Sequence, residues 1–417
     1  MKRIQILLVV ALIVVLLVPA CGTTKAPVVQ LRVGIDSSMS PPMIDVLTKA
    51  VATWNAANPS IQVTMEVTPD YWDKIPSAFA AGTAPDIIYD TVTETTSTFA
   101  QLGMYLPLDT YIKNSNVIKP SDFFQPVWST ASWNGHTWVI PYNWSDLGVV
   151  YNTDMFDKAS LSYPKDPFTW DEFLADAKAL TNGTTQFGFY DDSWPETGIF
   201  PFIRSNGGAI FSANKATVIA GMDAAGQEAI NFYVGLVRTD KVAPTATQLG
   251  QNTNPFVTGL VAMQVVRSWA PSTYAQTAPN LKYGVVGIPE KTTQTNYFEG
   301  AGFGINSKSK NPDAAWKFIE FLGSEPQQKA MGDQQVYYPA RQATINEIQW
   351  SAPMKAFLNE AQYGSDLQLV SQFETLTSNW MYWMGNAVGG VNPINIQTDI
   401  ATVDDKCNQA LAKYPVH

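Results

Sequence analysis

Residues 141–152, PYNWSDLGVVYN, set two rings, an amide and a carboxylate directly before an apolar, β-branched run. Tyr142, Trp144 and Asp146 of that stretch follow a wider pattern, in which aromatic side chains stand beside acids, amides or arginine in turn-like contexts. It recurs around Trp72 (PDYWDK), Trp194 and Glu196 (DDSWPET), Trp269 (VRSWAPS), Tyr338 and Arg341 (VYYPAR), and Trp380 and Tyr382 (SNWMYW). The chain carries 13 Trp, 17 Tyr and 20 Phe, so rings are plentiful enough for surface as well as core. Flat rings suit the apolar C–H faces of a cyclic polyol, and planar polar side chains suit its rim of hydroxyls. Trp54, Trp170 and Trp316 fall at helical spacing and are read as packing residues.

Other chemistries are poorly served. Only His136 and His417 are present, which argues against a histidine–thiolate metal centre and against a hydrolase with a histidine base unless His136 alone serves. His136 follows an Asn-Gly pair that signals a hairpin turn. No phosphate-cradling G-x-x-x-x-G-K-[ST] loop and no G-x-S-x-G elbow occurs. GAGFGI at 300–305 puts Ile305 where a dinucleotide fingerprint has glycine, and reads instead as a strand whose backbone comes close to a neighbour. Carboxylates are numerous enough for a glycosidase pair, whose geometry a sequence does not show. No cofactor and no metal is expected.

The elements that must position these residues suggest two domains: 417 residues, 46% hydrophobic and 15% charged, make one long compact unit or two ordinary ones. The first 20 residues have a basic head, an apolar run and a small residue before Cys21, the form of an export signal. Residues 21–29 read as a tether. Cys407 then stands alone on a helix as a small half-buried residue. The net charge of −10 argues against nucleic acid as a partner. QLRVGI, IQVTMEV and PDIIYD read as strands separated by helices, the pattern of an open, mainly parallel α/β sheet. Ligands of such sheets bind beyond the carboxyl ends of the strands, which points to Ser37 and Ser38, to Tyr71 and Trp72, and to Asp90 through Glu94. After Pro141 a second block begins with GVVYNTDMF, a helix from Trp170 opened by a Thr169/Glu172 capping box, a helix around 226–238, and strands near 262–266 and 283–287. A helix capped by Asn311 runs to Gly323, and the last third is helical.

AAGTAPDIIYDT, LGMYLPLDTYI, WNGHTWVIPYNWSDLGVVYNTDMF, PFTWDEFLADAKALT, FVTGLVAMQVVRSWA, YGVVGIPE and GAGFGINSKSKNPDAAWKFIEFL occur in an order that resembles extracellular solute-binding proteins of bacterial ABC importers, in particular the carbohydrate-binding group that includes maltodextrin-binding protein. The resemblance spans about residues 30–415. It implies a periplasmic-binding-protein-like α/β fold of two lobes, 30–145 with 289–323 and 146–288 with 324–417. Crossovers would lie near Ser145 to Leu147, Gly287 to Pro289 and Leu322 to Glu325, with a sugar held in the cleft between lobes. Matched motif by motif, it places Trp269 as a stacking ring, Trp194, Glu196 and Thr197 beside it, Asp90 to Glu94 as donors and acceptors from the first lobe, Trp380 and Tyr382 on a late helix, Tyr338 and Arg341 on a cleft-facing turn, and Glu299 with Gly300 at the return strand. Tyr142, Trp144 and Asp146 mark the first crossover. Cys21 resembles a lipoprotein's lipidated cysteine, implying a monomeric receptor tethered to the outer face of the cytoplasmic membrane and working with permease subunits. The segment DSSMSPP lacks the charged pair of maltodextrin-type members, so the sugar's identity stays open. Two other readings stand beside this one: the same fold for glycerol phosphate, a polyamine or ferric ion, and a secreted glycoside hydrolase.

Overall fold

The computed structural model describes residues 27–92, 95–191, 194–213, 217–366, 373–389 and 395–412; the export signal, Cys21 and Glu94 lie outside them. Among the described residues no helix is long and apolar enough to cross a membrane.

The first lobe starts with β1 (Val29–Asp36), the helix Pro41–Ala57 and β2 (Ile61–Thr68), which pairs in parallel with β1 from Val29↔Ile61 onward. That helix packs on the sheet because Met43, Val46, Leu47, Ala50 and Trp54 recur at three- and four-residue spacing and are all buried. After the helix Tyr71–Ala80, β3 (Ile87–Thr91) pairs in parallel with the other edge of β1. A short hairpin, β4 (Ser132–Trp133) and β5 (His136–Thr137), follows. Its turn residues Asn134 and Gly135 have φ of 49° and 77°, the conformation that favours Asn-Gly there. His136 is exposed and meets Asp109 at 2.9 Å. β6 (Val139–Ser145) then runs fully buried to the first crossover.

The second lobe takes the chain from β7 (Leu147–Asn152), with β8 (Phe187–Tyr190), β9 (Val261–Arg267) and β10 (Tyr283–Val286) in the order β10-β7-β9-β8. The helix Trp170–Ala179 carries the expected reciprocal Thr169/Glu172 cap. β11 (Asn296–Ile305) returns to the first sheet and inserts antiparallel between β6 and β3. Its glycines explain the GAGFGI stretch: a Cβ on Gly302 would lie 2.3 Å from the Ile140 carbonyl oxygen, and one on Gly304 2.7 Å from the Tyr105 ring. β12 (Tyr338–Pro339) forms the edge of the first sheet beside β6, and β13 (Gly364–Asp366) pairs in parallel with the first residues of β11, Asn296 to Phe298. Of the two large buried clusters, one covers the first sheet and runs on to Val150, Phe187, Val261 and Val266 of the second, and the other fills most of the rest of the second lobe.

Three expectations need correction. The sheets are mixed rather than mainly parallel, because β6, β11 and β12 are joined antiparallel in the first and β10, β7 and β9 in the second. The return to the first lobe comes later than 287–289: Glu290 N–H donates to Phe168 O, and the amides of Lys291, Thr292 and Thr293 turn to Ser205 O, so the first sheet resumes only at Asn296. The third crossover is later still than 322–325. The helix Glu325–Gly332 and β12 stay with the first lobe, and the helix Ala352–Glu360 is the next element to pack on β7 and β10. A two-residue edge strand has no periodicity that a sequence would reveal.

Candidate functional site

Strand directions place the chemistry. In the first sheet β1 and β3 run parallel and β6 runs with them, since both β3 and β6 are antiparallel to β11. Asp36, Asp90 and Ser145 therefore end their strands at one edge. In the second sheet β8 and β9 are parallel, and β7 enters antiparallel with Leu147 opposite Arg267. The carboxyl ends of β8 and β9 thus lie at the edge where the chain arrives from the first lobe. The two edges are joined at Asp146 and face a shared cleft, as ligand sites of open α/β sheets do.

Backbone and side chains stitch this junction. Asn296 receives the Leu147 N–H at 2.9 Å and donates to the Leu147 carbonyl at 2.9 Å, binding the first crossover to the start of β11. Ser268 N–H donates to the Asp146 carbonyl at 2.8 Å, and the Asp146 N–H donates back to the Ser268 hydroxyl at 3.2 Å. Asp146 itself is buried, which pushes its carboxyl well above the usual carboxylate range. Asp146 sits at the first crossover between the two sheets.

The second-lobe rim offers rings. Trp194, four residues past β8, is 48% exposed, and Trp269, two past β9, is 36% exposed; most of the other tryptophans described are buried. Trp194 is held from below: its carbonyl accepts from Gly198 N–H at 2.7 Å and from the Thr197 hydroxyl at 3.2 Å. Glu196 and Thr197 are buried in that turn and support it. Beneath it Tyr233 donates to Asp191 at 2.6 Å.

The first-lobe rim offers organised polar groups. The Trp72 indole N–H donates to Asp36 at 2.9 Å, and the Ser38 amide and hydroxyl hold the same carboxylate at 2.9 and 2.6 Å. The half-buried Trp72 ring lies 6.0 Å from Tyr89. Asp90 is buried at the end of β3, accepting from the Thr96 hydroxyl at 2.6 Å and from the Tyr105 hydroxyl. It anchors the loop that follows. Glu299 of β11 makes an ion pair with Arg267 of β9, so this contact joins the lobes beside the first crossover. The Arg267 guanidinium also lies 5.8 Å from the Tyr297 ring centre. Tyr337 adjoins this region: burial pushes its phenol up to about 12, and the nearby Arg267 charge opposes the shift.

Several sequence candidates are core residues instead. Tyr142 packs on Phe303, and Trp144 is stacked on Phe124 at 4.6 Å and against Tyr338 at 4.5 Å, with its indole N–H on Pro339 O. Both are about 1% exposed because elements cover both faces of β6. Tyr338 is fully buried and donates to Met354 O at 2.6 Å. Trp380 is likewise buried, against Phe200 and Trp383, while Tyr382 on the same helix is 74% exposed. Arg341 is a staple within the first lobe: it donates to Gly323 O at 3.1 Å, to Asp122 at 3.0 Å and to Val117 O. Gly300 serves close packing, since a Cβ there would lie 2.6 Å from Val127. Asp36, Tyr89 and Ser268 join the rims without having been singled out from sequence. A ring-rich turn is visible in sequence, but a lone acid closing a strand carries little signal.

A family profile described as bacterial extracellular solute-binding protein matches residues 40–329. A Brucella abortus protein named as a binding protein is 27% identical over 378 residues, 86% of this chain and 89% of its own length. The maltotriose-binding protein of Pyrococcus abyssi is 23% identical over 320 residues, 74% of this chain and 64% of its own. Among solved structures, an ABC substrate-binding protein of Listeria monocytogenes in complex with cycloalternan superposes with a TM-score of 0.83 at 21% identity, covering 92% of this chain and 99% of that one.

Proposed function

This chain belongs to the family of bacterial extracellular solute-binding proteins, and on that premise we propose that it captures a neutral sugar, mono- or oligosaccharide, in the cleft between its lobes and delivers it to the permease of an ABC importer. The observation that carries the proposal is the pair of solvent-facing indoles, Trp194 and Trp269, at the strand ends of one lobe opposite the hydrogen-bonding rim of the other. The part of each indole still exposed is apolar surface that a stacking ligand would cover. Sugar ligands in the names of the Pyrococcus and Listeria proteins support the same class.

The non-sugar readings are less well served. A phosphate group would call for free arginines, but Arg341 and Arg267 are both engaged with carboxylates. Tyr338 gives its hydroxyl to Met354 O, and burial keeps the Tyr337 phenol protonated to about 12, so neither is disposed to act as a tyrosinate ligand of ferric ion. Glu299 faces the Arg267 cation, and the oxygens of Asp36 and Asp90 already accept from neighbouring hydroxyl and indole donors, which leaves few acceptor positions for a polyamine. A ligand that touches both rims favours the closed arrangement by its differential affinity, and the permease reads that closed surface. Removal of the export signal and lipidation of Cys21 would tether a monomer outside the membrane. No covalent step is required, and the family is one of binding proteins rather than enzymes.

Native mass spectrometry for a co-purified sugar, followed by calorimetric titration with mono- and oligosaccharides, tests the proposal. At least one neutral sugar should bind without being consumed. Absence of heat with every sugar rejects it, and release of reducing ends would favour the hydrolase.

A further inference from the structure

Three chain segments near the crossovers converge on Gly287, the residue that follows β10. Residues 168–170 run beside the outgoing chain: Phe168 O accepts from Glu290 N–H at 2.8 Å, and Trp170 N–H donates to Glu290 O at 2.9 Å. Asp166 extends that ladder with its side chain, accepting from the buried Gly287 N–H at 2.8 Å. Glu360, the last residue of the helix Ala352–Glu360, reaches the same place. A Cβ on Gly287 would lie 2.8 Å from an Asp166 carboxyl oxygen and closer still to one of Glu360, so the two acids occupy the space of a side chain. Directly after Glu360 the chain turns through Ala361–Tyr363 into β13, which pairs with the start of β11.

Glu360 is 7% exposed, whereas Asp166 faces solvent. Their side chains hydrogen-bond to one another. Two carboxylates can only accept, so that bond requires a proton between them. Burial gives the proton to Glu360: its carboxyl is pushed up to about 8 by burial first, then by the charge of Asp166 and the bond to it, and by Glu290. The other titratable groups on neighbouring elements are Asp146 at the first crossover, on which the Glu360 charge acts, Tyr151 of β7 and Tyr283 of β10. Lys165 and Lys355 are exposed, and Lys282 is exposed and paired with Asp154. We propose that Glu360 is a proton-dependent latch on the return crossover: protonated, it donates to Asp166 and holds that acceptor on Gly287, and ionised, it repels Asp166 and frees the Gly287 amide. The proton passes to solvent, and no ligand is involved.

The test is hydrogen–deuterium exchange of the ligand-free full chain from pH 6 to 9.5, read as protection factors corrected for intrinsic exchange. Amides of β9 in the same lobe serve as the reference for global opening. Because the closed latch keeps a proton that an opened Glu360 releases above its ordinary 4.5, protection of the Gly287 amide relative to β9 should fall with rising pH. The fall should be up to about tenfold per unit as far as about pH 8, with no further loss beyond. Glu360→Gln keeps a donor for Asp166 but cannot ionise, so its relative protection should be the same across the range. Asp166→Asn is the second variant: its carboxamide donates to ionised Glu360 and removes the repulsion, which should also abolish the fall. Gly287 protection that follows β9 throughout in the parent overturns the latch, as does a pH-dependent fall that persists in either variant. Should Glu360→Gln not fold, Asp166→Asn alone decides between these results.

Discussion

The two rims of the cleft solve different problems with the same residue types. On the first lobe the polar groups are already committed: Asp36 to Ser38 and Trp72, Asp90 to Thr96 and Tyr105, and Arg341 to Asp122 and two carbonyls. On the second lobe Trp194 and Trp269 are held by their backbones and keep their faces in water. One rim is built of paired polar groups and the other carries partly exposed indoles. On the proposed function, such a division would let the ring surface supply affinity while fixed dipoles opposite select orientation.

The contrast is broken most severely at its buried counter-example. Trp144 has the same neighbours in sequence as a rim ring, yet it is packed between Phe124 and Tyr338. Trp144→Ala should destabilise the protein by about 3–5 kcal/mol in urea unfolding, the usual cost of emptying a buried aromatic site. Trp269→Ala should do the reverse: sugar affinity falls about 10- to 100-fold, while the loss of unfolding free energy stays well below that of Trp144→Ala because the ring is only partly buried. Trp194→Ala should weaken binding in the same direction.

A smaller effect separates the lobes by pH. Asp404, buried in the second-lobe core and accepting from Gly221 N–H at 3.3 Å, has its carboxyl pushed up to about 7 from 3.8 by burial. Between those values the folded chain holds a proton that the unfolded chain has released. Stability must therefore be greatest at the acid end and fall as pH rises towards 7, by on the order of 1 kcal/mol per unit. Asp404→Asn should flatten that slope in urea titrations at pH 4.5 and 7.5, and leave sugar affinity unchanged. Smallest is Trp72→Phe, which keeps a ring but removes the donor to Asp36; it should cost about 1 kcal/mol of sugar affinity by loosening the carboxylate.

How much of this was legible follows the same line between local and long-range signals. Elements written in periodicity were readable: the apolar spacing from Met43 to Trp54, the Thr169/Glu172 cap and the Asn134-Gly135 turn all appear as expected. Trp194 and Trp269 each follow a strand in a polar turn, as the sequence suggests, and both are partly exposed. Tyr142, Trp144, Tyr338 and Trp380 were not separable from them, since whether a ring faces the core depends on which elements cover it, and that is settled far away in the chain. The Trp144 ring, for instance, is enclosed by Phe124, Phe298 and Tyr338. The Arg267–Glu299 pair was invisible for the same reason: its partners meet only because two strands from different lobes end beside one pivot. The third crossover was misplaced because β12 is too short to show a pattern.

The central claim, that two solvent-facing indoles of the second lobe form the stacking surface for a neutral sugar, is tested most directly by titrating one bound sugar into the parent and into Trp194→Ala/Trp269→Ala by calorimetry, with thermal melts of both alongside. The account predicts saturable binding by the parent and none by the double variant at an unchanged melting temperature. Undiminished binding by a folded double variant would contradict it.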